Sequence, residues 1–223
     1  MTSQRLEYRR RLYLALAALI LVVGAASAVR AQEPAGSALV EALRDGGYNI
    51  YFRHTATNWD QDDHVEAADD WRSCDPQRMR QLSPEGRDIA RRIGAAMTTL
   101  RIPVAMVLSS EYCRAAETAQ LLNLGPVTQT SDIVNLRSAE FAGGNDAAVR
   151  RAQNVLSQAP AAGSNTVIVG HGNLMSSATG VYAGEGGSAV YRPTLGSDRG
   201  FELVAKLSAE DWEKLAASLA GAD

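Results

Sequence analysis

The sequence predicts an α/β domain, a three-layer α/β/α sandwich with a mostly parallel central sheet. Three observations carry that prediction. Helical stretches alternate with short strands along residues 37–220. The strands read as continuous apolar runs, the pattern of strands covered on both faces. No internal repeat, low-complexity tract or linker breaks this stretch, so one domain accounts for it.

The elements follow in chain order. Ser37 stands where a helix cap is expected, with Leu39, Val40 and Leu43 on one face and Gly46-Gly47 as the stop. Tyr48 to Phe52 is an aromatic and β-branched strand. Asn58 to Cys74 is rich in Asp and poor in apolar residues, which predicts a loop. Ser83-Pro84 opens a helix, cap then proline, and Ile89, Ile93, Met97 and Leu100 form its apolar stripe. Pro103 breaks it, and Val104 to Leu108 forms a buried strand. Helices are expected over Arg114 to Leu122 and Ala147 to Leu156. Thr166 to Val169 is the clearest strand in the chain. Leu174 to Tyr182 reads as a helix, Ala189 to Tyr191 and Phe201 to Leu207 as strands, and Ser208 caps a last helix through Leu219.

Composition narrows the function. The chain has 223 residues, 46% hydrophobic and 21% charged, which rules out wholesale disorder, a coiled coil and a multi-span membrane protein. Of the net charge of −3, residues 1–31 hold +4 (five arginines, one acid), which leaves −7 on the rest. That balance argues against a nucleic-acid partner. Arg9, Arg10 and Arg11 precede an apolar run from Leu12 to Ala28, and small residues follow at Ala26-Ser27-Ala28 and Val29-Arg30-Ala31. This is the pattern of a secretory signal peptide over residues 1–31, cleaved after Ala31 or Ala28, with an uncleaved anchor as the alternative. Residues 32–223 would then form a periplasmic or secreted domain with no stable membrane insertion. In an oxidising compartment the two cysteines, Cys74 and Cys113, fit one disulfide, against the alternative of two buried thiols.

In sheets of this class, ligands bind beyond the carboxyl ends of the strands. The residues there are Arg53-His54-Thr55 after the first strand, Ser109-Ser110 with Arg114 after the second, and Gly170-His171-Gly172-Asn173 after the clearest one. Two of only three histidines thus lie at strand ends, each beside an arginine or a glycine. Arginine forks match phosphate oxygens with paired charge-assisted bonds. A histidine between them suits nucleophilic attack on phosphorus, and a second histidine suits donation to the phosphoryl oxygens. The chain carries no Walker-type loop, Gly-x-Ser-x-Gly elbow, His-Glu-x-x-His or Rossmann fingerprint.

Four segments, in order, resemble the histidine phosphatase superfamily in its phosphoglycerate mutase-like branch. Arg53-His54-Thr55-Ala56-Thr57-Asn58-Trp59 is similar to its Arg-His-Gly-x-Thr-x-Trp signature. Leu82-Ser83-Pro84-Glu85-Gly86 looks like its Leu-Thr/Ser-x-x-Gly segment. Ser110 to Ala119 is similar to its Ser-x-x-x-Arg-Ala-x-x-Thr-Ala block, and Val169 to Asn173 to its second histidine motif. The resemblance runs from about Tyr48 to Leu207 and implies a phosphatase without metal or organic cofactor. His54 would become phosphohistidine, while Arg53, Arg114 and His171 hold the phosphoryl group, with Thr57 and Asn173 beside the substrate. The substrate would be a small phosphorylated molecule or a phosphorylated envelope component, and the sequence fixes no oligomeric state.

Two departures stand out. Thr55 replaces the usual glycine after the nucleophile, and its hydroxyl would either contact phosphate or be a neutral variation. Leu136-Arg137-Ser138 puts serine where the resemblance places the acid, which leaves Glu140 as the first candidate proton donor and Glu185 as the second. Without an acid, good leaving groups are favoured, or the protein is a non-catalytic binder of phosphorylated ligands. The acidic run Asp60, Asp62, Asp63, His64, Glu66, Asp69 and Asp70 lacks a regular metal-ligand spacing and reads as a solvated loop.

Overall fold

The structure, a computed structural model, describes residues 35–220, with side chains through residue 218. The expected signal segment 1–31 lies outside the described residues. Six strands form one sheet: β1 (Asn49–Arg53), β2 (Val104–Ser110), β3 (Val127–Thr130), β4 (Asn165–Gly170), β5 (Ser188–Pro193) and β6 (Phe201–Leu207). Their order is β3-β2-β4-β1-β5-β6. The first four are mutually parallel, and β5 and β6 add an antiparallel edge.

The helices are α1 (Ser37–Asp45), α2 (Pro84–Thr99), α3 (Cys113–Leu122), α4 (Asn145–Ser157), α5 (Gly172–Thr179) and α6 (Ala209–Ala220). Every residue of β4 is buried. Successive side chains on a strand point to opposite faces, so burial throughout requires cover on both. Two groups of helices supply it: α2 packs with α3 and α6, and α4 packs with α5. The sandwich predicted from the apolar runs is therefore the fold observed.

Local rules explain the ends. Ser83 accepts the Gly86 amide at 3.0 Å and Pro84 follows at the first helical position, as the sequence predicts. Ser208 and Asp211 cap each other reciprocally at the start of α6. Ser37 does not cap α1: Gly36 holds that position, and no side chain bonds the free amides. The helix expected to reach Tyr182 stops at Thr179, where left-handed Gly180 turns the chain. Strand β3 was not foreseen, because Val127-Thr128-Gln129-Thr130 is a half-exposed edge with no apolar run.

Register brings the chemistry together. Arg53 on β1 pairs with Gly170 on β4, and Ser109 on β2 pairs with Val169. The three strands therefore end level, and the His54 amide donates to the Gly170 carbonyl at 2.9 Å. Gly86 lets the start of α2 meet this rim, since a Cβ there would lie 1.9 Å from the Ala56 oxygen.

Candidate active site

Beyond these strand ends lies a cavity of about 420 Å³, lined by Arg53, His54, Trp59, Arg80, Asn135, Arg137, His171 and the start of α5. His54 is buried, and its Nδ1 lies 3.0 Å from the Thr55 carbonyl. A carbonyl only accepts, so Nδ1 carries the proton and Nε2 is the bare nitrogen. Arg114 Nε donates to that Nε2 at 3.2 Å. Burial first, then the charge of Arg114, hold His54 well below the ordinary histidine range, so the ring is neutral.

His171 caps α5 from extended backbone, pinned by the Tyr51 hydroxyl, which accepts its amide at 3.0 Å and donates to its carbonyl at 3.2 Å. Its Nε2 lies 2.8 Å from Ser110 Oγ. Burial, then Arg114, keep this ring neutral too. The ring centroids of His54 and His171 are 5.5 Å apart.

Arg53 donates to the Tyr182 hydroxyl at 2.9 Å and pairs with Glu185 at 3.5 Å. Its stem passes over Gly172, where a Cβ would come within 3.0 Å of Arg53 Cδ. Arg80 stacks on the exposed ring of Trp59, 4.1 Å from its centroid. Three buried nitrogens on cavity residues have no partner: Arg53 Nε, Arg80 Nε and His171 Nδ1. Buried polar atoms are normally paired, and an anion in the cavity would be the missing acceptor. The α5 N-terminus adds its positive end.

The expected residues fall into two groups. Arg53, His54, His171 and Asn173 line the cavity, and the Asn173 side-chain NH2 donates to Asn135 Oδ1 at 2.8 Å. Arg114 is 1% exposed and forms the wall behind His54. Thr57 gives its amide and its hydroxyl to Glu185 rather than to the cavity, at 3.2 and 2.8 Å. The Thr55 hydroxyl points to Thr118, 3.3 Å away. Glu140 is not brought to the site. It sits exposed on the short 3-10 segment Leu136–Ala142, whose inward side carries buried Ser138, bonded to the Tyr112 hydroxyl. Among the described residues, the cavity lining includes no carboxylate, and Glu185, the second candidate donor, is engaged instead by Arg53 and Thr57.

The acidic loop is mostly exposed, in line with its reading as solvated, with Asp63 as the exception. Its side chain is buried against Arg114, with 3% exposure. Arg80 and Arg137 escaped the sequence reading, since neither follows a strand. The proximity of Arg80 to the Leu82-Ser83 segment was the one available signal. The two cysteines form a disulfide, with Cα atoms 5.3 Å apart. Among the described residues, no three His, Cys, Asp or Glu side chains gather as metal ligands.

No protein-family model and no curated protein matches the chain. Solved structures do. The α-ribazole phosphatase of Shigella flexneri is similar over 73% of this chain and 96% of its own, at TM-score 0.50 and 13% identity. A phosphoserine phosphatase mutant of Entamoeba histolytica, in complex with phosphoserine, is similar over 74% of this chain and 98% of its own, at TM-score 0.50 and 14% identity. The likeness is one of fold: the chain shares the α/β architecture of these two phosphatase structures.

Proposed function

We propose that this chain is an exported phosphatase that hydrolyses phosphate monoesters or phosphoanhydrides through a phosphohistidine on His54. The observation that carries this reading is the state of His54: neutral, buried, and oriented by the Thr55 carbonyl so that Nε2 is the unprotonated nitrogen, whose lone pair passes from the Arg114 Nε–H to phosphorus on attack. The Nε2 lone pair forms the bond to phosphorus as the bond to the leaving oxygen breaks. The positive charge that develops on the ring is shared through Nδ1–H with the Thr55 carbonyl. Arg53 Nε, and His171 Nδ1 with Ser110 donating to the opposite nitrogen, meet the phosphoryl oxygens. Water then attacks phosphorus, releases phosphate and returns His54 neutral.

With no carboxylate on the cavity, the leaving group departs without a protein acid. General acid catalysis contributes on the order of 10²–10⁴-fold, so aryl phosphates, acyl phosphates and phosphoanhydrides outpace alkyl esters by about that factor. The natural substrate is a small phosphorylated molecule or a phosphorylated envelope component. Export is supported by the arginine-then-apolar N-terminus and by the Cys74–Cys113 bond, a bond type that persists in oxidising compartments.

The missing carboxylate also favours a second reading, a binder of phosphorylated ligands without turnover. Assay of the protein and of His54→Ala on an aryl and an alkyl phosphate separates the two. Aryl turnover that vanishes in His54→Ala supports the phosphatase. No turnover, with phosphate-dependent thermal stabilisation lost in Arg53→Ala, supports the binder.

A further inference from the structure

Asp63 lies in the acid-rich loop after β1, yet its side chain is only 3% exposed. Its two oxygens take Nη1 and Nη2 of Arg114, each at 2.9 Å, and one also accepts the Arg80 amide at 3.1 Å. This is the two-pronged geometry that a phosphate would use on the same arginine. Nη1 also donates to the Arg80 carbonyl at 3.3 Å, so the Nη edge of Arg114 is held by Asp63 and the Arg80 backbone while Nε meets His54.

The loop is anchored on both sides of Asp63. The Asn58 amide donates to the Gln81 carbonyl at 3.0 Å, the Gln81 amide to Gln61 at 2.9 Å, and the His64 amide to the Arg78 carbonyl at 2.8 Å. Further along, Trp71 Nε1 donates to Glu111 at 3.0 Å, and Cys74 is bonded to Cys113. A buried pair held this way costs several kcal/mol to break. The carboxylate is therefore a fixed part of the wall and is not displaced by ligand.

The charges can then be assigned. Asp63 neutralises Arg114, and Glu185 neutralises Arg53. Arg80 and Arg137 line the cavity with no ion-pair partner among the described residues. Burial, then Arg114, push Arg80 below its ordinary value, against the opposing pull of the Asp63 and Glu185 carboxylates.

We propose that Asp63 is a positioning residue that permanently fills the fork of Arg114 and turns its Nε to His54, while Arg80 and Arg137 carry the charge of the bound phosphoryl group. The inference rests on the phosphatase reading. Two unpaired guanidinium charges match one phosphate dianion, so the site takes a single terminal phosphoryl group. Arg114 contributes one N–H to the reaction rather than a bidentate clamp.

The test titrates inorganic phosphate calorimetrically into the full-length protein and its variants, and follows aryl phosphate turnover in parallel. Arg137 is exposed, so Arg137→Gln keeps the wild-type melting temperature. Its Kd for phosphate rises about tenfold, the loss of one charged hydrogen-bond partner, and depends less on salt. Asp63→Asn frees the charge of Arg114, so phosphate binds several-fold more tightly while kcat falls, because Nε is no longer placed beside His54 to pass to a phosphoryl oxygen as Nε2 attacks. A structural lesion alone would weaken phosphate binding along with kcat. An unchanged Kd in Arg137→Gln overturns the inference, as does weaker phosphate binding in a folded Asp63→Asn. If Asp63→Asn does not fold, Arg137→Gln and Arg80→Gln decide. A wild-type protein that neither binds phosphate nor turns over defeats the phosphatase reading itself. A turning-over wild type with an unaltered Arg137→Gln defeats this inference alone.

Discussion

His54 and His171 are buried imidazoles surrounded by guanidinium groups, and their chemistry follows from that placement. Burial, then Arg114, hold both well below the ordinary histidine range. In the unfolded chain each titrates near about 6.5. Below that pH the unfolded chain binds protons that the folded protein refuses, so stability falls as pH falls. Denaturant unfolding at several values from about pH 7.5 to 5.5 should show this loss, and His54→Gln with His171→Gln should flatten it. Equal slopes in the two proteins would contradict the account. The same shift keeps Nε2 of His54 unprotonated in mildly acidic solution. Much at this scale was legible: Arg53 closes a strand and His54, His171 and Asn173 follow strand ends, at the rim where the sequence placed them. Asp63 was not, because its partner comes from a distant helix and only packing reveals the pairing. Glu140 misled because distance along the chain says nothing of phase. On a short 3-10 segment Ser138 turns inward and Glu140 outward.

The element scale explains why those residues meet. Parallel β1, β4 and β2 end level, and each is followed within four residues by a residue of the site. Where α2 begins, the Ser83 cap and Pro84 are local signals, but the need for Gly86 is tertiary. A Cβ there would lie 1.9 Å from the Ala56 oxygen, backbone against helix. Gly86→Ala should therefore lower the melting temperature by several degrees, whereas helix propensity alone would raise it by favouring alanine by about 1 kcal/mol. A rise in melting temperature would show that the contact is not as close as described. The clearest strand in the sequence, β4, carries the apolar run Val167-Ile168-Val169 and is buried throughout. The strand it concealed, β3, has no such run, because an edge strand needs only one neighbour and little burial.

Across the whole molecule, an acidic chain concentrates arginine on one cavity. Residues 32–223 carry −7, yet four arginines gather behind and around the two histidines. A cationic concavity on a negative body focuses its field on the mouth and draws phosphorylated ligands there. The Cys74–Cys113 bond spans 39 positions and ties the Asp63 loop to the helix that carries Arg114. The chain-entropy relation assigns a loop of that size roughly 4 kcal/mol. Reduction of the purified protein should lower its unfolding free energy by up to about that amount and reduce turnover, measured by denaturant titration and aryl phosphate assay. Unaltered stability and turnover on reduction would remove any role for the bond in holding the wall.

The central claim is covalent chemistry on His54, and trapping tests it most directly. The protein is mixed with labelled aryl phosphate, quenched within the first turnover, and its phosphate content followed in acid and in base. The account predicts one phosphate per chain, labile in acid and stable in base, mapped to the peptide that contains His54 and absent from His54→Ala. Turnover without any such phosphoprotein, or a phosphate that persists in His54→Ala, would contradict it.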